Sequence, residues 1–374
     1  MGACSSTPGR RDINTWATDA PDDHPPDVTH HLDAIYSQPN IPASCVIHTT
    51  DNFCASSWDD GSIKVIDWKA KQVVHTWTTH SRSVNKLLYA QQTKSLFSCS
   101  RDTTIARHAL ASPLKDDATS TTQTYSGHTL TVSSLAIDHD EKRLASGSRD
   151  TSVALWDVET AARIQQTIVS QNIVTCMAWV PTEAQLVAQG GEDLRLRIWD
   201  CRAWKSPAQT IEGYVYFPLA LDISEDGVYL FTTSKGFNAV GCEGRVWDRR
   251  TGKQVVELTG HSQDTTACAY IPHHNDEGVT ASKDSTIRVW NMETGEQLSS
   301  SHDASSGKTT EAINTETTML VGKFTSLSCV RDGAADTTPS SSPSSVVQVL
   351  TSSFSGRIDL YRWDRANSSL ERLQ

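Results

Sequence analysis

Short runs of alternating apolar and polar residues recur along most of the chain and are separated by turns. The clearest example predicts four strands at 132–138, 143–149, 152–157 and 163–170. A strand with one buried face places an apolar side chain at every second position, which is the pattern of these runs. Gly, Asp and Ser between the runs favour tight turns. The pattern therefore predicts an all-β fold built from groups of four short strands.

The same pattern is repeated along the chain. Seven stretches share a β-prone run, a turn and a second alternating run, complete in some copies and degenerate in others: 54–68, 96–110, 144–160, 186–202, the copy ending at 244–250, 278–294 and 349–364. Four copies carry a tryptophan at the same position, and these tryptophans recur every 43 to 48 residues. Four strands per ~40–45 residues, with Gly-His ahead of Trp-Asp, resemble the blades of WD-repeat proteins. The resemblance implies a single seven-bladed β-propeller.

The family pattern also implies a buried hydrogen-bonded set in each complete repeat. Its members are the His of Gly-His, a Ser or Thr on the second strand, the turn Asp and the Trp. Two complete sets fit the pattern, one of His128, Ser146, Asp150 and Trp156, the other of His261, Thr280, Asp284 and Trp290. A buried carboxylate is tolerated only when donors satisfy it, and imidazole and hydroxyl groups supply them. Because the same residue types recur once per blade, we interpret them as structural and not as a catalytic triad.

Other units depart from this pattern. The second keeps His80, Ser98 and Asp102 but has His108 where the tryptophan belongs. The fourth has Gln189 in place of Ser or Thr. The first, fifth and seventh units lack the set, so their assignment as blades depends on spacing and on the alternating pattern.

The ends of the chain and one long insertion differ in composition from the repeats. Residues 1–28 are polar and rich in Pro and Asp, and we expect them to form a disordered tail ahead of a propeller at 29–374. The Ser/Thr-rich region 300–345 lacks apolar periodicity and is expected to form flexible loops around an inner strand at 324–332. Two segments are candidates for the strand that closes the ring, 29–38 and the C-terminal SLERLQ, and the sequence does not choose between them.

Composition excludes several classes of function. The chain has 374 residues, of which 37% are hydrophobic and 21% charged, and its net charge is −11. A nucleic-acid binder needs a basic face, so that class is disfavoured. The nine cysteines form no CxxC pair, and we expect a reducing cytosolic compartment with neither disulfides nor a zinc site. Because no phosphate, dinucleotide or metal motif has its required context, we expect no cofactor, no small-molecule substrate and no enzymatic activity.

The first six residues, MGACSS, fit the pattern for N-myristoylation, in which Gly2 is acylated. One myristoyl chain binds membranes only marginally, with an association constant of about 10⁴ M⁻¹, so stable anchoring needs a second signal. Palmitoylation of Cys4 would supply that signal, since the tail has no polybasic patch. Dual acylation of Gly2 and Cys4 is one interpretation of this start, and a chance Ser-rich sequence is the other.

Two adjacent repeats contain Trp-Asp-x-Arg, in RIWDCR and RVWDRR. This resembles the box with which propeller substrate receptors of cullin-RING ubiquitin ligases contact their adaptor. The resemblance implies that Arg202 and Arg250 are adaptor contacts, and the alternative is two solvated arginines at a blade edge. Trp204, just beyond the first box, is either an exposed anchor for a partner or a core residue at a strand end.

Several stretches resemble the WD repeat-containing protein 31 family more closely than WD repeats in general: 147–160, 170–181, 192–200 and 236–248. The last includes an insertion, GFNAVGCE, that most blades lack. The resemblance implies an association with cilia, intraflagellar transport and small-GTPase regulation. We therefore expect a monomeric, non-catalytic scaffold with protein partners, held at a cytoplasmic membrane face. The alternative function is that of a substrate receptor of a cullin-RING ligase.

Overall fold

The computed structural model describes residues 34–50, 52–110, 122–169, 172–301, 323–331 and 346–373. Gly2, Cys4, the expected tail 1–28 and most of the expected loop region 300–345 lie outside these residues. Within the described ranges the regular secondary structure consists of β-strands. No helix in those ranges is long and apolar enough to cross a membrane.

The strands form seven antiparallel sheets, numbered here as blades 1 to 7. The described chain begins with β1 (Tyr36–Ser37), which belongs to blade 7. Blades 1 to 3 consist of β2 (Ala43–Thr50), β3 (Phe53–Trp58), β4 (Ile63–Asp67) and β5 (Gln72–Trp77); β6 (Val84–Ala90), β7 (Ser95–Ser100), β8 (Ile105–Ala109) and β9 (Thr122–Tyr125); and β10 (Val132–Ile137), β11 (Arg143–Ser148), β12 (Ser152–Asp157) and β13 (Arg163–Ile168).

Blades 4 to 6 consist of β14 (Val174–Trp179), β15 (Leu186–Gly191), β16 (Leu196–Asp200) and β17 (Gln209–Ile211); β18 (Pro218–Ile223), β19 (Tyr229–Ser234), β20 (Gly244–Asp248) and β21 (Lys253–Leu258); and β22 (Thr265–Ile271), β23 (His274–Ser282), β24 (Ile287–Asn291) and β25 (Gln297–Ser300). Blade 7 consists of β26 (Phe324–Arg331), β27 (Val346–Ser353) and β28 (Arg357–Asp364), with β1 and β29 (Ser369–Leu373) along its outer edge.

The first strand of each blade contacts the first strands of the two neighbouring blades, and β26 contacts β2. These contacts close a ring, so the predicted seven-bladed β-propeller is confirmed. The four strands predicted for the third repeat correspond to β10 to β13 within two residues at each end. Local alternation was sufficient here because each strand pairs with the next one along the chain.

Both ends of the described chain close the ring. β1 pairs with the first two residues of β28, and β29 pairs with the last five. β28 is eight residues long, so it has room for both partners along one edge. The two segments that the sequence offered as alternatives therefore share this position.

Tryptophans fill the space within and between the blades. Six of them have almost no exposed surface: Trp58, Trp156, Trp199, Trp204, Trp290 and Trp363. Burying an aromatic side chain of this size removes roughly 150–250 Å² of surface from water, so these residues contribute strongly to the core. Three of the tryptophans that mark the repeats, Trp156, Trp199 and Trp290, are thus among the largest fully buried side chains.

Candidate functional site

The hydrogen-bonded set expected in blade 3 is assembled in the structure. The Nδ1 atom of His128 lies 2.9 Å from a carboxylate oxygen of Asp150, and its Nε2 atom lies 2.7 Å from the hydroxyl of Ser146. The indole N–H of Trp156 donates to the same hydroxyl over 2.7 Å. The hydroxyl belongs to β11 and the indole to β12, so antiparallel pairing of these strands brings the two side chains together.

Blade 6 has the same geometry. His261 lies 2.8 Å from the carboxylate of Asp284 and 2.8 Å from the hydroxyl of Thr280. The indole of Trp290 donates to that hydroxyl over 2.7 Å. Both predicted complete sets are therefore brought together by the fold.

The atom that carries each proton in these sets follows from what its partner can donate or accept. An ionised carboxylate only accepts, so the histidine must donate from Nδ1, and its Nε2 then accepts from the hydroxyl. The hydroxyl oxygen in turn accepts the indole N–H. The side chains of Ser146 and Thr280 are fully buried, so no substrate reaches either hydroxyl in this arrangement. The sets are satisfied and suited to holding a blade together.

The carboxylates of both sets are strongly stabilised as anions. Burial alone would raise the pKa of Asp150, but hydrogen bonds from His128, from Ser152 and from the backbone N–H of Thr129 outweigh burial and lower the pKa below its usual range. The pKa of Asp284 is lowered in the same way. Burial lowers the pKa of His261, because the charged imidazolium loses its hydration.

These shifts predict that the propeller loses stability in two stages as the pH falls. The unfolded chain binds a proton at His261 near pH 6.5 while the folded chain resists it, so stability present above that pH declines below it. Asp284 adds a second decline below about pH 4, because its unfolded pKa is near 3.8 and its folded pKa is lower. Tm measured between pH 7.5 and 3 should show both. The variant His261→Gln should flatten the first stage, whereas His139→Gln, at an exposed histidine, should not. Equal pH profiles for the two variants would contradict the prediction.

In blade 2 a histidine replaces the indole. The Nε2 atom of His108 lies 3.2 Å from the hydroxyl of Ser98, which also lies 2.8 Å from His80. The ring of His108 packs against Trp77, with 4.8 Å between centroids. Burial lowers the pKa of His108 to about 3, so it is neutral and donates one N–H where the other repeats have an indole N–H.

In blades 4 and 5 the indole N–H of the tryptophan donates its hydrogen bond within a different set of side chains. In blade 4 the amide oxygen of Gln189 accepts from the indole of Trp199 over 3.4 Å. Blade 5 was expected to lack the set, yet Tyr214 and the indole of Trp247 meet at the hydroxyl of Thr232, over 2.7 and 3.2 Å. The sequence does contain a signal for this substitution, because Tyr214 follows a glycine where complete repeats have Gly-His.

Arg202 and Arg250 lie at corresponding positions of neighbouring blades, just after β16 and β20. Their side chains are 73% and 64% exposed. Arg202 forms two hydrogen bonds to the carboxylate of Asp200, with Nε at 3.0 Å and Nη2 at 2.6 Å, and Arg250 lies 3.5 Å from Asp248. Both guanidinium groups are therefore accessible, and each is already paired with the aspartate of its own Trp-Asp.

Trp204 is a core residue, and its interpretation as an exposed anchor is wrong. Its side chain is only 1% exposed, and its indole N–H lies 3.4 Å from the backbone oxygen of Val153 in the neighbouring blade. Its ring also packs 5.6 Å from that of Trp199. The segment between β16 and β17 folds back toward blade 3, which is why a residue beyond the strand end becomes buried.

A cavity of about 530 Å³ opens where the inner strands meet the loops of all seven blades. Cations border it: Lys235 lies 5.0 Å from the ring centre of Phe217, and Lys283 lies 5.6 Å from that of Phe354. Arg149 lines the same opening. Sequence reasoning did not single out these residues, although Arg149 and Lys283 directly precede the turn aspartates of their repeats.

Comparison with known proteins gives a consistent assignment of the repeats. Four segments match the WD domain, G-beta repeat: 71–106, 119–157, 163–200 and 252–291. Relatives include the nuclear distribution protein nudF of Aspergillus niger, 27% identical over 126 residues, and human Coronin-7, 26% identical over 142 residues. These alignments cover 33% and 34% of the chain, and 27% and 14% of the respective relatives. The similarity is thus confined to a part of each protein.

Proposed function

We propose that this WD-repeat protein is a non-catalytic scaffold, held by N-terminal acyl chains at the cytoplasmic face of a membrane. The observation that carries the proposal is the seven-bladed ring itself, with a buried core and exposed loops from every blade. A rigid scaffold with exposed loops presents several docking surfaces for proteins, and function resides in those surfaces. The two complete hydrogen-bonded sets support a structural role for the Ser, His and Asp residues that resemble catalytic groups.

The membrane part of the proposal depends on MGACSS. Two acyl chains, on Gly2 and Cys4, would give the stable attachment that a single chain does not. Attachment would raise the local concentration of the ring and its membrane-associated partners, and thereby favour their assembly. The resemblance to the WD repeat-containing protein 31 family extends the proposal to a ciliary membrane and to transport or GTPase-regulating partners. We infer no specific partner from the similarity to nudF and Coronin-7, because those matches cover only part of each protein.

Replacing Gly2 with Ala is expected to move the protein from the membrane fraction to the soluble fraction, because Ala at this position is not myristoylated and palmitoylation of Cys4 depends on prior membrane contact. The measurement is metabolic labelling with a myristate analogue followed by membrane fractionation of the wild type and the variant. A Cys4→Ser variant should remain labelled but bind membranes more weakly. Unlabelled wild type in the soluble fraction would overturn the membrane part of the proposal and leave the scaffold.

A second candidate function is that of a substrate receptor of a cullin-RING ubiquitin ligase. The exposure of Arg202 and Arg250 on adjacent blades favours it, since an adaptor would reach both guanidinium groups. Each guanidinium is already paired with its own aspartate, so an adaptor would have to compete for it. The scaffold is therefore the function that we prefer.

A further inference from the structure

Blade 5 carries an ordered projection that the other blades lack. The segment 236–243, here called the finger, connects β19 to β20, where blade 3 has a short turn. At its tip Phe237 and Val240 exchange backbone hydrogen bonds of 2.9 and 3.1 Å. Asn238 and Ala239 between them both have positive φ, 52° and 61°, which is the geometry of a tight two-residue hairpin turn. Ala239 is not a glycine, so this conformation carries a steric cost that the surrounding contacts must offset.

The backbone of the finger is fixed to its neighbours. The N–H of Ala239 donates to the carbonyl of Ser262 over 3.0 Å, and the N–H of Gly236 donates to the carboxylate of Asp264 over 3.0 Å. At the other end the hydroxyl of Thr265 donates to the carbonyl of Cys242 over 2.6 Å. The finger is therefore held against blade 6 from both sides, and its tip has a defined position.

The side chains at this fixed tip are apolar and face solvent. Phe237 is 71% exposed and Val240 is 56% exposed. Such exposure contributes nothing to folding, because neither side chain leaves water. Large apolar residues presented at a fixed position are, in contrast, typical anchors of protein interfaces, where an aromatic side chain fills a pocket of the partner.

A lysine precedes the finger in the chain, and its ammonium lies over the ring of Phe217 at 5.0 Å. Lys235 directly precedes the finger and is exposed, and among the described residues no carboxylate lies within ion-pair distance of its ammonium. Two acidic groups near the finger are engaged: Asp264 pairs with Lys283 over 2.7 Å, and Glu243 pairs with Arg245 over 3.4 Å. A chain of net charge −11 thus presents an exposed cation two residues before its exposed aromatic residue, which favours a partner with acidic groups at the corresponding place.

We propose that the finger docks Phe237 and Val240 into an apolar pocket of a partner protein, whose rim carries Asp or Glu side chains facing Lys235. The inference rests on the proposed scaffold function and gives the chemistry of one partner surface. A projecting tip of this shape requires a concave receptor, and the lysine sets the charge of its border. Anionic lipid is the competing occupant, since it also accepts an apolar tip beside a cation.

The test uses the full-length protein with a photoreactive benzoylphenylalanine in place of Phe237, expressed in cells. A cross-linked protein is then purified and its affinity is measured for the wild type, Phe237→Ser, Lys235→Glu, Lys235→Arg and Ile168→Ser. Ile168 is a matched control, because its side chain is 74% exposed on β13 of another blade. We expect at least about tenfold weaker binding for Phe237→Ser and Lys235→Glu, and wild-type affinity for Lys235→Arg and Ile168→Ser.

Three results would overturn the proposal: no cross-linked protein, a cross-linked protein that binds all variants equally, or loss of binding to phosphatidylserine vesicles in Phe237→Ser without an affected protein partner. Equal Tm values for the variants verify that the ring is folded. Cross-linking is repeated on the Gly2→Ala background, which separates the two proposals. If the Gly2→Ala protein is released from membranes and still forms the cross-link, the result supports the finger independently of acylation. If the protein with Gly2 intact is acylated and membrane-bound but forms no cross-link, the result refutes the finger alone.

Discussion

Replacing Trp290 with Ala is expected to lower the free energy of unfolding by about 3 to 5 kcal/mol, the range for removing a large aromatic side chain from a core. Trp290 is 1% exposed and lies in a cluster with Phe231 and Tyr270. Its indole also donates to Thr280, whose hydroxyl is shared with His261. The variant therefore leaves a cavity and removes one donor from a buried polar set.

The measurement is urea-induced unfolding with Trp290→Phe as the companion variant. Phenylalanine keeps much of the aromatic side chain but has no N–H. The free energy of unfolding should therefore fall less in Trp290→Phe than in Trp290→Ala. The decrease should mainly reflect the lost hydrogen bond, about 1 kcal/mol, together with a small change in packing. Val255→Ala is the control, because Val255 is 53% exposed and surface substitutions usually change stability by less than about 0.5 kcal/mol. If Trp290→Ala lowered the free energy of unfolding by less than about 1 kcal/mol, blade 6 would not depend on its hydrogen-bonded set.

Removing residues 369–374 is expected to destabilise the whole ring by about 3 to 5 kcal/mol, within the range for loss of a large core side chain. The deletion removes β29, whose five residues pair with β28, and it removes Leu370, which is 2% exposed and packs in the core of blade 7. Loss of a buried leucine alone costs about 2 to 5 kcal/mol. Because blade 7 contacts blade 1 through β26 and β2, loosening it opens the ring.

Thermal unfolding and limited proteolysis measure this effect. Cleavage of the truncated protein should begin in blade 7, where the outer edge of β28 has lost its partner. Glu371→Ala is the control, since this exposed residue of β29 keeps the strand while losing a side chain. An unchanged Tm after truncation would mean that β1 closes the ring without β29.

The features that the sequence predicted correctly are local ones. Each blade forms from strands that are consecutive in the chain, so alternation and turn residues were enough to define β10 to β13 and the number of blades. The pattern of His128, Ser146, Asp150 and Trp156 belongs to a single repeat, and the fold assembles it within hydrogen-bonding distance.

Two of the features that the sequence left open or misjudged join segments from different repeats. Trp204 is buried against Val153, about one blade away in the chain. The contact of Tyr214 with Thr232, over 2.7 Å, lies within one repeat, and it departs from the family pattern because a tyrosine stands where complete repeats have histidine. The sharing of β28 by β1 and β29 joins the two ends of the described chain.

Local patterns in the sequence predict the class of fold, the number of blades and the two complete hydrogen-bonded sets, because strand pairing and turn geometry depend on neighbours in the chain. The folded ring is needed to see how its ends close, that Trp204 is buried and that the finger projects Phe237 into solvent. These outcomes depend on contacts between blades, which form only when distant segments pack together, and a local pattern does not contain that information.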